Sequence, residues 1–129
     1  PASLGIGNFI QPSCTVVRKP ALLKAGLFDT DSNLQHIEDY DLWIRLACFN
    51  ASFLFIKDNI CKYRKHPSSA TSNFEMMEAL NNELECKHHT FFTNSRKHVL
   101  RSVLNRCPYP TERLKFLYIR ILNKVFPIK

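Results

Sequence analysis

Apolar positions recur along this chain with two different periods, and the change of period marks its parts. Leu42, Trp43, Leu46 and Ala47 fall three and four apart behind a first turn crowded with Glu38, Asp39 and Asp41. That spacing predicts a helix from Glu38 to about Asn50. Ahead of it, residues 21–26 (ALLKAG) read as one or two helical turns closed by Gly26, after which Phe28 and Asp29 turn the chain. Residues 8–18 (NFIQPSCTVVR) read as a loop leading into a short strand that Pro20 stops, and residues 30–37 as a polar loop. Beyond the helix the period shortens. Residues 52–56 (SFLFI) predict a buried strand, Asp58-Asn59 a turn and residues 60–64 (ICKYR) a second strand, together a hairpin. After His66-Pro67 the helical period returns: Ser72 and Glu75 stand in capping-box spacing before Met76, Leu80 and Leu84. Two further amphipathic helices carry Val99, Leu100, Val103 and Leu104, then Leu114, Leu117, Tyr118, Ile121, Leu122 and Val125 behind Pro110-Thr111.

Composition narrows the class. With 45% hydrophobic and 12% aromatic residues in 129 positions, the chain is too apolar for disorder and too interrupted by charge for a membrane span. No basic head with an apolar run opens it, so no secretion signal is expected, and the absent initiator methionine suggests a segment cut from a longer chain. The five cysteines, Cys14, Cys48, Cys61, Cys86 and Cys107, are odd in number and form no CxxC pair, which favours reduced thiols in a cytoplasmic compartment. Cys86, His88 and His89 are the one crowded metal-like group, but two adjacent histidines point different ways on a helix and no second ligand pair follows. Residues 1–44 carry three basic and five acidic side chains and residues 45–129 fifteen and six, so a net −2 precedes a net +9. The basic residues alternate with apolar ones at helical spacing and no nucleic-acid motif accompanies them. Nucleic acid is therefore not expected as a partner.

The stretch richest in chemistry is EDYDLWIRL, residues 38–46. Acidic side chains at a helix N-terminus are favoured by the macrodipole by roughly 0.3–1 kcal/mol each, which alone accounts for all three acids. Trp43, one turn after Asp39, is either a core residue or an aromatic platform for a sugar ring. Arg45 stands at i,i+4 from Asp41, the spacing of an ordinary helical ion pair.

Four pieces, NFIQPSCTVVRK, LLKAGLFD, EDYDLWIRLA and a closing YRKH, follow one another in order, and over roughly residues 8–71 the chain resembles the inverting family 2 glycosyltransferases of the GT-A fold. Ser13 with Arg18-Lys19, the run from Gly26 to Asp29, and the complete ED-x-DLW-x-R carry the likeness. The second glycine that the family usually has before its aromatic residue and Asp is missing from Ala25-Gly26-Leu27-Phe28-Asp29, a departure of turn geometry.

The resemblance implies an α/β fold, the acceptor-side half of a GT-A domain with short mixed strands over residues 1–71; residues 72–129, outside the resemblance, read as a helical C-terminal tail. It implies Asp39 as the catalytic general base, with Glu38, Trp43, Arg64 and Ser13 at the substrate. His66 would serve as ligand of a divalent cation, Mn or Mg, or of the diphosphate. A nucleotide sugar would be the donor, a glycan or lipid-linked molecule the acceptor, as in polysaccharide biosynthesis, with a peripheral contact to the inner face of a membrane. A single carboxylate suffices chemically, because the leaving group is a diphosphate that needs no proton. In the first turn of its helix Asp39 is expected to stay ionised, since backbone N–H groups and the dipole favour the anion. His66 and Asp39 are expected to line one cleft about 8–15 Å apart, within hydrogen-bond and metal-ligand reach of a shared substrate. No DxD stands where the family has it; Asp29-Thr30-Asp31 has the letters but lies just ahead of the base helix. The nucleotide-binding half is thus expected to be missing, and the isolated chain inactive and without bound cation. The alternative is a non-catalytic basic helical module that binds nucleic acid, anionic membrane or a protein partner.

Overall fold

The computed structural model of the chain describes residues 2–58, 62 and 73–106. Four α-helices account for most of them: α1 Lys19–Lys24, α2 Glu38–Cys48, α3 Phe74–Lys87 and α4 His89–Arg106, with short 3₁₀ turns at Ala2–Gly5, Pro12–Cys14 and Ser32–Leu34. No strand or sheet occurs among the described residues. The α/β fold with short mixed strands is therefore overturned, and the reasons are local. In residues 8–18 the Pro12–Cys14 turn uses the groups a ladder would need: the Gln11 carbonyl accepts from Cys14 N–H (3.1 Å) and from the Thr15 hydroxyl (2.6 Å), and the Pro12 carbonyl from Thr15 N–H (3.2 Å). Residues 52–56 carry strand-forming side chains but have no pairing partner among the described residues. Leu54 and Phe55 are 90% and 83% exposed, the opposite of a buried strand. β-Propensity expresses a fit to neighbouring strands and is not a preference of the backbone alone. The second strand of the expected hairpin and the helix behind Pro110 lie outside the described residues, apart from Lys62.

The chain divides into two compact units, Asn8–His88 and a second made of Pro1–Gly7 with His89–Lys129. In the first, α1 starts with Pro20 in its first turn, where the missing N–H costs nothing. It ends as the sequence predicts: Gly26, at φ +82°, donates to the Leu23 carbonyl (3.1 Å) and Leu27 N–H to Leu22 (3.0 Å), the paired bonds of a Schellman cap. Helix α2 closes the same way, with Asn50 at φ +56° donating to Ala47 (3.0 Å) and Ala51 to Leu46 (3.1 Å). Around α2 sits the core of this unit, with Tyr40, Leu42, Trp43, Ile44 and Leu46 buried along with Leu34 and Ile37 from the preceding loop. That loop is more ordered than its polar sequence predicts, because the Asp31 side chain caps the Ser32–Leu34 turn by accepting from Asn33 N–H (2.9 Å). Helix α3 is capped by Asn73, whose side chain accepts from Met76 N–H (3.0 Å); Ser72, the expected cap, lies outside the described residues.

In the second unit the Ala2–Gly5 turn packs on α4, which begins at His89, well ahead of the stripe at Val99. Leu4, Phe92 and Ser95 are buried. A Cβ added to Gly5 would stand 2.3 Å from Ser95 Cβ, so only glycine fits that approach. Arg96 donates to the Gly5 carbonyl (3.2 Å) and lies over the Phe92 ring, 5.2 Å from its centroid. No helix among the described residues is long and apolar enough to cross a membrane. Cys48 and Cys86 are free and exposed, whereas Cys14 is disulfide-bonded, which corrects the expectation that all thiols are reduced.

Candidate functional site at the start of helix α2

The three acids that open α2 have three different surroundings. Helix α2 is preceded by Ile37, which offers no side-chain cap, so its first-turn carboxylates alone supply side-chain acceptors there. Asp39 is half-buried. Its Oδ1 accepts from Tyr40 N–H (2.7 Å), and the Asn8 amide Nδ2 lies 3.4 Å from each of its carboxylate oxygens. Burial raises its pKa, Glu38's charge adds to the rise, and the bonds from Tyr40 and Asn8 oppose it. The dipole and N–H groups were expected to win. Desolvation outweighs them here: burial is the largest influence on this carboxyl, and the bonds from Tyr40 N–H and from the Asn8 amide at 3.4 Å do not offset it. Next to it, Glu38 Oε2 is buried with no hydrogen-bond partner among the described residues.

Asp41, two positions on, is fully buried and fully paired. Arg45 donates through Nε to Oδ2 (2.7 Å) and Lys87 Nζ lies 2.9 Å from Oδ1. His88 Nε2 stands 2.7 Å from the same Oδ1 and acts as donor, since an ionised carboxylate can only accept. Burial alone would raise the Asp41 pKa, but the bonds from His88, Lys87 and Arg45, with the Arg45 charge, hold it far below the ordinary 3.8. Arg45 also donates to the Ala25 carbonyl and, through Nη2, to that of Leu27 (2.7 Å). One guanidinium thus holds the end of α1 against α2. Lys87 bridges onward to Asp29 (2.6 Å), whose carboxyl it lowers together with the Asp31 N–H.

From the sequence, Asp41 is expected only to cap the helix or support the residues beside it and to pair with Arg45. A signal was present: Ile37, Asp41 and Ile44 stand four and three apart, which puts the carboxylate on an apolar stripe. Its contacts with Lys87 and His88 join residues far apart in sequence and leave no local trace.

Trp43 is 2% exposed and its indole N–H donates to the Ile10 carbonyl (3.2 Å). Its ring is core and presents no face to a sugar, which corrects the substrate-binding assignment. Ser13 lies exposed on the Pro12–Cys14 turn. Arg64 and His66 lie outside the described residues, and with them the cleft expected between His66 and Asp39. The structure brings together Asp39, Glu38 and Asn8. Among the described residues no group of three His, Cys, Asp or Glu side chains is placed to hold a metal ion. Compared with known proteins, the chain matches no family model, no curated protein and no solved structure.

Proposed function

We propose that this chain carries the acceptor-side general base of an inverting glycosyl transfer from a nucleotide sugar to a glycan or lipid-linked acceptor, and that Asp39 is that base. The observation that supports this reading best is the half-desolvated Asp39 carboxylate at the head of the EDYDLWIR helix, with its pKa raised. A general base works best when its basicity approaches that of neutral solution, and burial moves Asp39 in that direction. Its partial pairing leaves lone pairs for an acceptor hydroxyl.

In the step, the acceptor oxygen attacks the anomeric carbon while Asp39 takes its proton. The bond from that carbon to the diphosphate oxygen breaks, and the diphosphate leaves with the electron pair. Inversion follows from attack on the face opposite the leaving group. Glu38, beside it, keeps one buried oxygen without a hydrogen-bond partner among the described residues. The family resemblance calls for a divalent cation at the diphosphate. The described residues offer it no site, and the step at Asp39 is a proton transfer on the acceptor side.

The test is Asp39→Asn in the protein at its full natural length. Transfer should fall by about 10²–10⁴, the usual contribution of a general base, while nucleotide-sugar binding stays unchanged. Transfer kept within about tenfold would remove Asp39 from this role. A wild-type protein that transfers no sugar from any nucleotide donor but binds vesicles or nucleic acid would favour the interaction module instead.

A further inference from the structure

The Asn8 side chain makes contacts at both of its ends. Its Oδ1 accepts from Ile10 N–H (3.1 Å), which fixes which way the amide faces, because the oxygen is taken by the backbone two residues on. Its Nδ2 is thereby turned to Asp39 and stands at equal distance, 3.4 Å, from both carboxylate oxygens. Ile10 is itself anchored, since its carbonyl accepts from the buried Trp43 indole (3.2 Å). Residues 8–10 are therefore held at two points along one face of α2: by Trp43, and by Asp39 one turn earlier. We infer that Asn8 is a positioning residue for Asp39, an oriented neutral donor that fixes the carboxylate's rotamer and sets its basicity; the inference rests on Asp39 being the base.

The donor matters because, among the described residues, no other side chain donates to Asp39. The charged group that bears on it is Glu38, on the same helix, which disfavours the anion. The carboxylate of Asp41 is taken up by its own contacts with Arg45, Lys87 and His88. From the segment packed against the carboxylate comes the Asn8 amide, whose bond favours the anion. An amide can tune a base without ever being mistaken for one, since it takes up no proton at working pH.

Two variants separate position from charge. Asn8→Ala removes both ends of the link. Asn8→Asp keeps the acceptor for Ile10 N–H but replaces the donor by a second carboxylate. The readout is the Asp39 side-chain carboxyl titration followed by carbon-detected NMR on this chain. The midpoint should rise from wild type to Asn8→Ala, and rise further in Asn8→Asp, where two carboxylates compete for one proton. In the full-length protein the acid limb of the transfer rate should move to higher pH in the same order, with the plateau within about tenfold of wild type. An Asp39 titration unchanged in both variants would overturn the inference even if Asp39 proves to be the base. A wild type without transfer at any pH would overturn the proposed function and leave the titration to decide the link between Asn8 and Asp39.

Discussion

Asp39 and Asp41 lie two residues apart on one helix, and they differ in nearly everything that determines what a carboxylate does. Around Asp41, burial is complete and the side chains of Arg45, Lys87 and His88 supply donors, so the anion is locked in and its pKa depressed. Around Asp39, burial is partial and the donors are an amide at 3.4 Å and the adjacent backbone N–H, so the anion is under-supported and its pKa raised. The lesson is that the acidic run of this motif mixes two kinds of surroundings. A carboxylate whose lone pairs are all spoken for holds helices together; one with lone pairs left over is available for chemistry.

The largest break in that contrast should come from Asp41→Asn. Removing one partner of a buried ion network leaves the others uncompensated, which costs about 3–5 kcal/mol. Chemical denaturation should show it. The pH dependence follows from the direction of the shift. Because the folded pKa of Asp41 is depressed, its stabilisation is fully present above the ordinary value of 3.8 and is lost as pH falls below it toward the folded value. Asp41→Asn should flatten this acid limb. An acid limb unchanged by the substitution would mean that the network contributes little.

A smaller effect is expected from Trp43→Phe, which keeps an aromatic ring in the core but leaves the Ile10 carbonyl without its donor. A loss of about 1 kcal/mol is expected for one such bond, measurable by thermal unfolding. If Trp43 instead served as an exposed platform, the substitution would leave stability unchanged.

The smallest effect has the opposite sign. Asp39 has a raised folded pKa, so its charged form is disfavoured by folding, a cost present at neutral pH and relieved as pH falls through the folded pKa. Asp39→Asn should therefore stabilise the fold slightly, by less than about 1 kcal/mol, at the pH where Asp41→Asn destabilises it most. Destabilisation by both substitutions would erase the distinction between the two carboxylates.

Helix α2, the short α1 and its glycine cap were legible because their determinants are local: three-four spacing, acids in the first turn, Gly26 at the end. The i,i+4 pairing of Asp41 with Arg45 was legible for the same reason. What Arg45 does beyond that, donating to the carbonyls of Ala25 and Leu27, depends on how α1 and α2 meet. The strands expected within residues 8–18 and 52–56 failed because a run such as SFLFI specifies a strand only where another edge receives it. For Trp43 the sequence left two readings open and burial chose between them. For Asp39 the direction of the pKa shift was set by desolvation, a property of packing that no dipole argument supplies.

Gly5 and Ser95 carry a consequence for how this sequence can change over generations. With 2.3 Å between Ser95 Cβ and the Cβ that any other residue would bring to position 5, the two positions share one allowance of volume. Enlargement at position 5 is viable only after position 95 has shrunk. Drift there must begin on α4, with Ser95 giving way to glycine. Eighty-nine residues of chain lie between two sites of which one can be enlarged only after the other has changed.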